Sequence, residues 1–279
     1  MKRFLIVASA VVLLSGCSIP FIDKMKIDDS TEHKDSAPAE NGENQNQSNQ
    51  QADESSGGQS NGESGPTLQA AYFNQIKEVN GQKVIQNPSN ILALVNKEFA
   101  LPSTYAPADL VRPKVAFAFG DQDIEKSYMR EEAASALEKM FGAAKNDGII
   151  LYAASGYRSY QRQSALLQAE IKNVGKEKAV QAVATPGQSE HQSGLAMDIT
   201  SKQEKFLLTE HFEQTKEGIW LHDHAHEYGF ILRYPKGKEG ITGYEYEPWH
   251  FRYVGVKAAK EIFEHDWTLE EYFQQVKKV

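Results

Sequence analysis

Two short stretches, about fifty residues apart, carry the side chains best suited to activating water. Ser189-Glu190-His191-Gln192-Ser193-Gly194-Leu195-Ala196-Met197-Asp198 offers an imidazole and a carboxylate, with Gly194 free to take a sharp bend between them. Glu247-Pro248-Trp249-His250-Phe251-Arg252-Tyr253 offers a second imidazole and another carboxylate. A hydrolytic metal site draws three ligands from His, Asp and Glu and keeps a further position open, so these two stretches are candidates for its parts. In a regular strand the offset from Glu247 to His250 would turn them to opposite faces, and Pro248 predicts a bend that brings both to one cleft.

Other hydrolytic chemistries find less support. His222-Asp223-His224-Ala225-His226 holds two histidines at helical i,i+4 spacing, but Trp220, Leu221 and Tyr228 supply the buried face of that helix. His222 and His226 are therefore expected at the surface. No His-Glu-x-x-His occurs, which removes the thermolysin pattern, and no serine has a lysine three residues on, which removes the Ser-x-x-Lys nucleophile. Cys17 is the only cysteine and lies in a targeting segment, so thiol catalysis and intramolecular disulfides are excluded.

Ser-x-His-x-x-Gly-x-Ala-x-Asp followed by Glu-x-Trp-His resembles the zinc carboxypeptidase family of VanY and LdcB type. The resemblance runs from about Asn90 to Trp267 and takes in Leu94-Val95-Asn96-Lys97, Leu101-Pro102, Tyr105 to Leu110, and Ser155-Gly156-Tyr157-Arg158-Ser159. It implies one Zn²⁺ held by His191, Asp198 and His250, with Glu247 as general base and Arg158 facing the substrate as the fixed positive group. It further implies that Gln163, Ser189 and Tyr234 bind the terminal residue and its carboxylate. The activity implied is removal of the C-terminal D-alanine from peptidoglycan stem peptides, with D,D and L,D specificity both open. A catalytically silent wall-binding lipoprotein and a peptidoglycan endopeptidase are the rival readings.

Positioning these groups requires a mixed fold. Ala133, Ala134, Leu137, Met140, Phe141 and Ala144 repeat at helical intervals and predict a helix over Arg130 to Lys145, closed at Gly148. Further helices are expected over Tyr160 to Lys172, Lys176 to Ala184 and Ile219 to Tyr228, and a short one over Asn90 to Phe99. Strands are expected over Ile149 to Ala154, Ala196 to Thr200 and Trp249 to Val254. Without a regular strand-helix repeat the class is α+β. The resemblance implies a small antiparallel sheet flanked by helices, related in fold to the hedgehog signalling domain.

The first sixteen residues join Lys2-Arg3 to a short apolar run and reach Leu14-Ser15-Gly16-Cys17, which resembles a bacterial lipoprotein signal. Residues 1–16 are then a signal peptide, and Cys17 is the expected site of lipidation and membrane attachment, outside the cytoplasm. Residues 17–66 read as an acidic tether. Between Asp28 and Gly65 nine acidic residues face Lys34 alone, which accounts for the whole net charge of −8. The rest of the chain sums to zero and carries no basic excess, so no nucleic-acid partner is expected, and residues 67–279 are expected to form a single catalytic domain acting as a monomer.

Overall fold

The computed structural model describes residues 65–279; the signal segment, Cys17 and all of the tether before Gly65 lie outside them. At its centre is an antiparallel sheet of β1 (Tyr152–Ser155), β2 (Ala196–Thr200), β3 (Phe230–Leu232) and β4 (His250–Tyr253), in the spatial order β1-β2-β4-β3. Alternation along β2 and β4 divides the sheet's two faces by chemistry. Met197, Ile199, Phe251 and Tyr253 enter an apolar core shared with Ala133, Leu137, Met140 and Ala144 of helix α1 (Glu131–Asn146). Each large side chain buried there stabilises the fold by roughly 1.5–3 kcal/mol. Asp198, His250 and Arg252 occupy the other face.

The helices follow local signals. Helix α1 ends at Asn146, and Gly148, beyond the capping Asp147, takes φ +76°. Ile149 is drawn into this stop through its N–H to the Ala144 carbonyl (2.8 Å), so β1 begins at Tyr152, later than the apolar run predicts. Helix α2 (Tyr160–Val174) is capped by the Ser159 hydroxyl, which accepts from Arg162 N at 3.2 Å, and α3 (Lys176–Ala182) follows. Helix α4 (Lys216–His224) starts before the expected Ile219 because the Thr215 hydroxyl caps it, accepting from Gly218 N at 3.0 Å. Tyr228 belongs to a separate 3-10 turn, Ala225–Tyr228, which stops at Gly229.

The expected helix over Asn90 to Phe99 is not formed. Its apolar residues Leu92, Ala93, Leu94 and Val95 are buried, but side chains from elsewhere satisfy the backbone. Asn74 bonds both N–H and C=O of Leu94, the Asn90 carboxamide accepts from Leu92 N, and Arg252 donates to the carbonyls of Ile91 and Ala93. With these partners supplied, nothing drives the segment to an internal ladder.

Beyond α5 (Glu239–Thr242), two C-terminal helices, α6 (Val256–Glu264) and α7 (Leu269–Gln275), extend the fold. They pack Ala258, Ala259, Ile262, Leu269 and Tyr272 against Leu92, Leu94 and Val254 in a second apolar cluster. Helices and a small antiparallel sheet without regular alternation make this an α+β domain. Among the described residues no helix is long and apolar enough to cross a membrane.

Candidate metal centre

Strand register brings the two stretches together. His250 on β4 pairs directly with Asp198 on β2, and a bulge in β1 places Ser155 opposite Asp198 on its other side. His191 arrives from a 3-10 turn, Glu190–Ser193, whose exit through Gly194 at φ +68° leads back into β2. That left-handed turn is the bend the sequence required of Gly194.

His191, Asp198 and His250 are all buried and each offers one ligand atom, the three lying within 4.8 Å of one another. His191 Nε2 is 3.4 Å from Asp198 Oδ2, and His250 Nδ1 is 3.0 Å from Asp198 Oδ1. The far nitrogens are occupied elsewhere. His191 Nδ1 lies 2.8 Å from the Gly156 carbonyl, which accepts only if that nitrogen carries the proton, leaving the Nε2 lone pair free. His250 Nε2 faces Glu190 Oε2 at 3.5 Å. Two imidazoles and one carboxylate fit Zn²⁺, and three protein ligands leave a position for substrate or water. His222 and His226 join no such group among the described residues: His222 is exposed and His226 stacks on Phe263 with ring centroids 3.7 Å apart.

Glu247 stands beside this centre in a turn. His250 N donates to Glu247 O at 3.1 Å, and Glu247 Oε2 is 3.7 Å from His250 Nδ1, so the bend at Pro248 brings base candidate and ligand candidate to one cleft. Burial pushes the Glu247 carboxyl up to about 7; Asp198 adds to the rise, while His250 and Arg158 oppose it. Burial alone would lower His250, yet its hydrogen bonds to Asp198 and Glu190 and the nearby carboxylates outweigh that and raise it to about 9 in the metal-free protein.

Arg158 is half-buried and donates to neutral oxygens, Gln163 Oε1 at 3.0 Å and Ser155 Oγ at 3.3 Å. Among the described residues no carboxylate lies within ion-pair distance of it, which removes the structural salt bridge as its reason for being there. Gln163 is fully enclosed, its amide nitrogen donating to Ala184 O at 2.7 Å, so it stands behind Arg158. The Tyr234 ring lies 4.9 Å from that of His250 and 4.8 Å from that of Tyr244, forming one wall of the centre. Ser189 is buried immediately before the 3-10 turn that carries His191.

Sequence reasoning missed what lies behind the ligands. Glu190, Arg233 and Arg252 are wholly buried and joined: Glu190 Oε1 accepts from Arg233 Nε at 2.8 Å and Arg252 Nη1 at 2.6 Å. Arg233 also forms a two-pronged pair with Glu270 of α7, at 2.9 and 2.7 Å. Strand alternation offered one signal, since Arg252 is two residues from His250 and must share its face.

An antiparallel sheet that presents a buried His, Asp, His set with a carboxylate beside it has the donor set of a zinc hydrolase of the metallopeptidase class. Residues 126–256 match the D-alanyl-D-alanine carboxypeptidase family, and residues 1–18 match the prokaryotic membrane lipoprotein lipid attachment site. The chain is 58% identical over 213 residues to the putative carboxypeptidase YodJ of Bacillus subtilis (strain 168), covering 76% of this chain and 78% of that protein. The structure of the LdcB LD-carboxypeptidase superposes with a TM-score of 0.75 at 58% identity, covering 76% of this chain and 99% of the other. A Zn(II) complex of a mutant vancomycin resistance D,D-pentapeptidase VanY superposes with a TM-score of 0.52 at 34% identity, covering 65% and 98%. This chain belongs to the D-alanyl-D-alanine carboxypeptidase family. It is a zinc-dependent carboxypeptidase, anchored to the membrane on its extracytoplasmic side.

Proposed function

We propose that the enzyme removes the C-terminal D-alanine from peptidoglycan stem peptides, with His191, Asp198 and His250 holding one Zn²⁺ and Glu247 moving the proton. The observation that carries this is the convergence of the three ligand atoms within 4.8 Å with Glu247 Oε2 at 3.7 Å from His250. When bound, zinc supplies a Lewis acid that polarises the scissile carbonyl and acidifies water in the open position. Glu247, with its carboxyl near neutrality, takes the proton from the attacking water and returns it to the leaving amine. Arg158, with no ion-pair partner among the described residues, stabilises the charge that develops on the carbonyl oxygen. Gln163 holds Arg158 in place, and Ser189 and Tyr234 line the pocket for the terminal residue.

The greater identity to the LdcB LD-carboxypeptidase (58%) than to the VanY D,D-pentapeptidase (34%) supports the L,D form of the reaction. The bond cut is then the one between an L-configured centre of the diamino acid and D-alanine. The domain plan is a signal peptide over 1–16, a tether over 17–66 whose Cys17 carries the lipid, and a catalytic domain over 67–279 that works as a monomer.

Purified protein incubated with tetrapeptide and pentapeptide stems, with products read by mass spectrometry, tests this reading. Loss of alanine from the tetrapeptide alone is expected. Loss from the pentapeptide alone would assign D,D specificity, and cleavage of neither would leave a wall-binding protein.

A further inference from the structure

The buried charges behind the metal centre are arranged unequally. Arg233 and Glu270 meet as a two-pronged pair, each Glu270 oxygen taking one guanidinium nitrogen. Glu190 is different: both of its arginine partners donate to Oε1, and Oε2 takes neither. A carboxylate serving only to balance the guanidinium groups would share them over both oxygens, as Glu270 does. Instead Oε2 points at His250 Nε2, and among the described residues it is the sole acceptor within hydrogen-bond distance of that nitrogen, at 3.5 Å. That separation is the outer limit of a hydrogen bond.

We infer that Glu190 is a positioning residue for the metal: it accepts the Nε2–H of His250 and so commits Nδ1, the nitrogen beside Asp198, to the ion. The inference rests on the metal reading above. Histidines that bind metals commonly donate their other N–H to a carboxylate, which fixes tautomer and ring orientation and raises ligand basicity. Two glutamates and two arginines balance here, so an ionised Glu190 can accept the N–H of a neutral imidazole with no need for an extra cation. Rigidity comes from the same groups. Arg252 is anchored by the carbonyls of Ile91, Ala93 and Tyr253, and the side chain of Asn96 donates to Glu270. Glu190 also directly precedes His191, so one turn sets both the first ligand and the support of the third.

Two measurements on the full chain test this. In the zinc-loaded wild type with ¹⁵N-labelled histidine, NMR should find His250 protonated at Nε2 and coordinated through Nδ1; coordination through Nε2 would overturn the inference without needing any variant to fold. Zinc affinity, read by competition with a chromophoric chelator, is then compared for E190Q and E270Q. Glu270→Gln disturbs the same arginine network but touches no histidine. E190Q should raise the zinc Kd by about 10–100-fold and E270Q should leave it within about threefold. Equal weakening in both variants, or an E190Q protein that binds zinc like the wild type, would reduce Glu190 to a structural role. A wild type that binds no zinc would overturn the metal reading itself and this inference with it.

Discussion

Arg158 is held by a neutral amide: its Nη1 donates to Gln163 Oε1 at 3.0 Å, and Gln163 in turn is fixed to the Ala184 carbonyl. A guanidinium oriented in this way keeps its charge available for an incoming group. Arg158→Ala should lower kcat/KM about 10²–10³-fold, the cost of losing one fixed donor to a developing oxyanion, and leave zinc content unchanged. Arg158→Lys should recover only part, because an ammonium lacks the planar fork that meets Gln163 and Ser155 together. Steady-state kinetics with a metal assay check both; a loss below about tenfold in the alanine variant would remove Arg158 from the reaction.

The raised His250 ties metal binding to protons. With its metal-free pKa near 9, the imidazole is protonated at pH 7, so zinc must displace a proton to bind. Raising the pH from 7 to 8 should tighten apparent zinc affinity about tenfold. Calorimetry in two buffers of different ionisation enthalpy should read about one proton released per zinc at pH 7.5.

Gly156 supplies the carbonyl that orients His191, and it has no room for a side chain. A Cβ there would lie 2.4 Å from the Tyr128 carbonyl oxygen and 2.9 Å from Met197 Cε. Gly156→Ala must therefore move the backbone that holds the His191 tautomer. Zinc affinity should fall by about tenfold or more, with thermal unfolding lowered as well, both read on the purified variant.

Burial would push the Glu190 carboxyl up, but Arg252 and Arg233 outweigh it and hold it well below the ordinary range. A carboxylate depressed in the folded state stabilises above its unfolded pKa, about 4.3, and loses that contribution as the pH falls toward the lower folded value. The metal-free protein should thus lose stability as the pH drops below about 4, as read by denaturant unfolding. Arg252→Met, which takes from the buried Glu190 one of its two arginine partners, should cost up to about 3–5 kcal/mol at pH 7, against less than about 1 kcal/mol for removing the exposed Lys236 from Glu213.

The sequence was most informative where one element carries its own pattern. The strand over Ala196 to Thr200 and the helix starting at Tyr160 stand where the sequence predicts them, and Gly194 makes the expected bend, at φ +68°. The Asn90 to Phe99 segment misled because Asn74 and Arg252, remote in the chain, take over its backbone hydrogen bonds. Helices α6 and α7 went unread although their apolar faces are regular, as did the charges of Glu190, Arg233 and Glu270. A buried charge is legible only through its partner, and these partners lie 37 or more residues apart.

Glu247 moves protons at a metal centre it does not build. Glu247→Ala, assayed on tetrapeptide and pentapeptide stems alongside zinc analysis, tests it most directly. Turnover should fall by at least about 10²–10⁴-fold while bound zinc stays near one equivalent. Undiminished turnover would remove Glu247 from proton transfer, and a variant that loses zinc together with activity would make it part of the metal site instead.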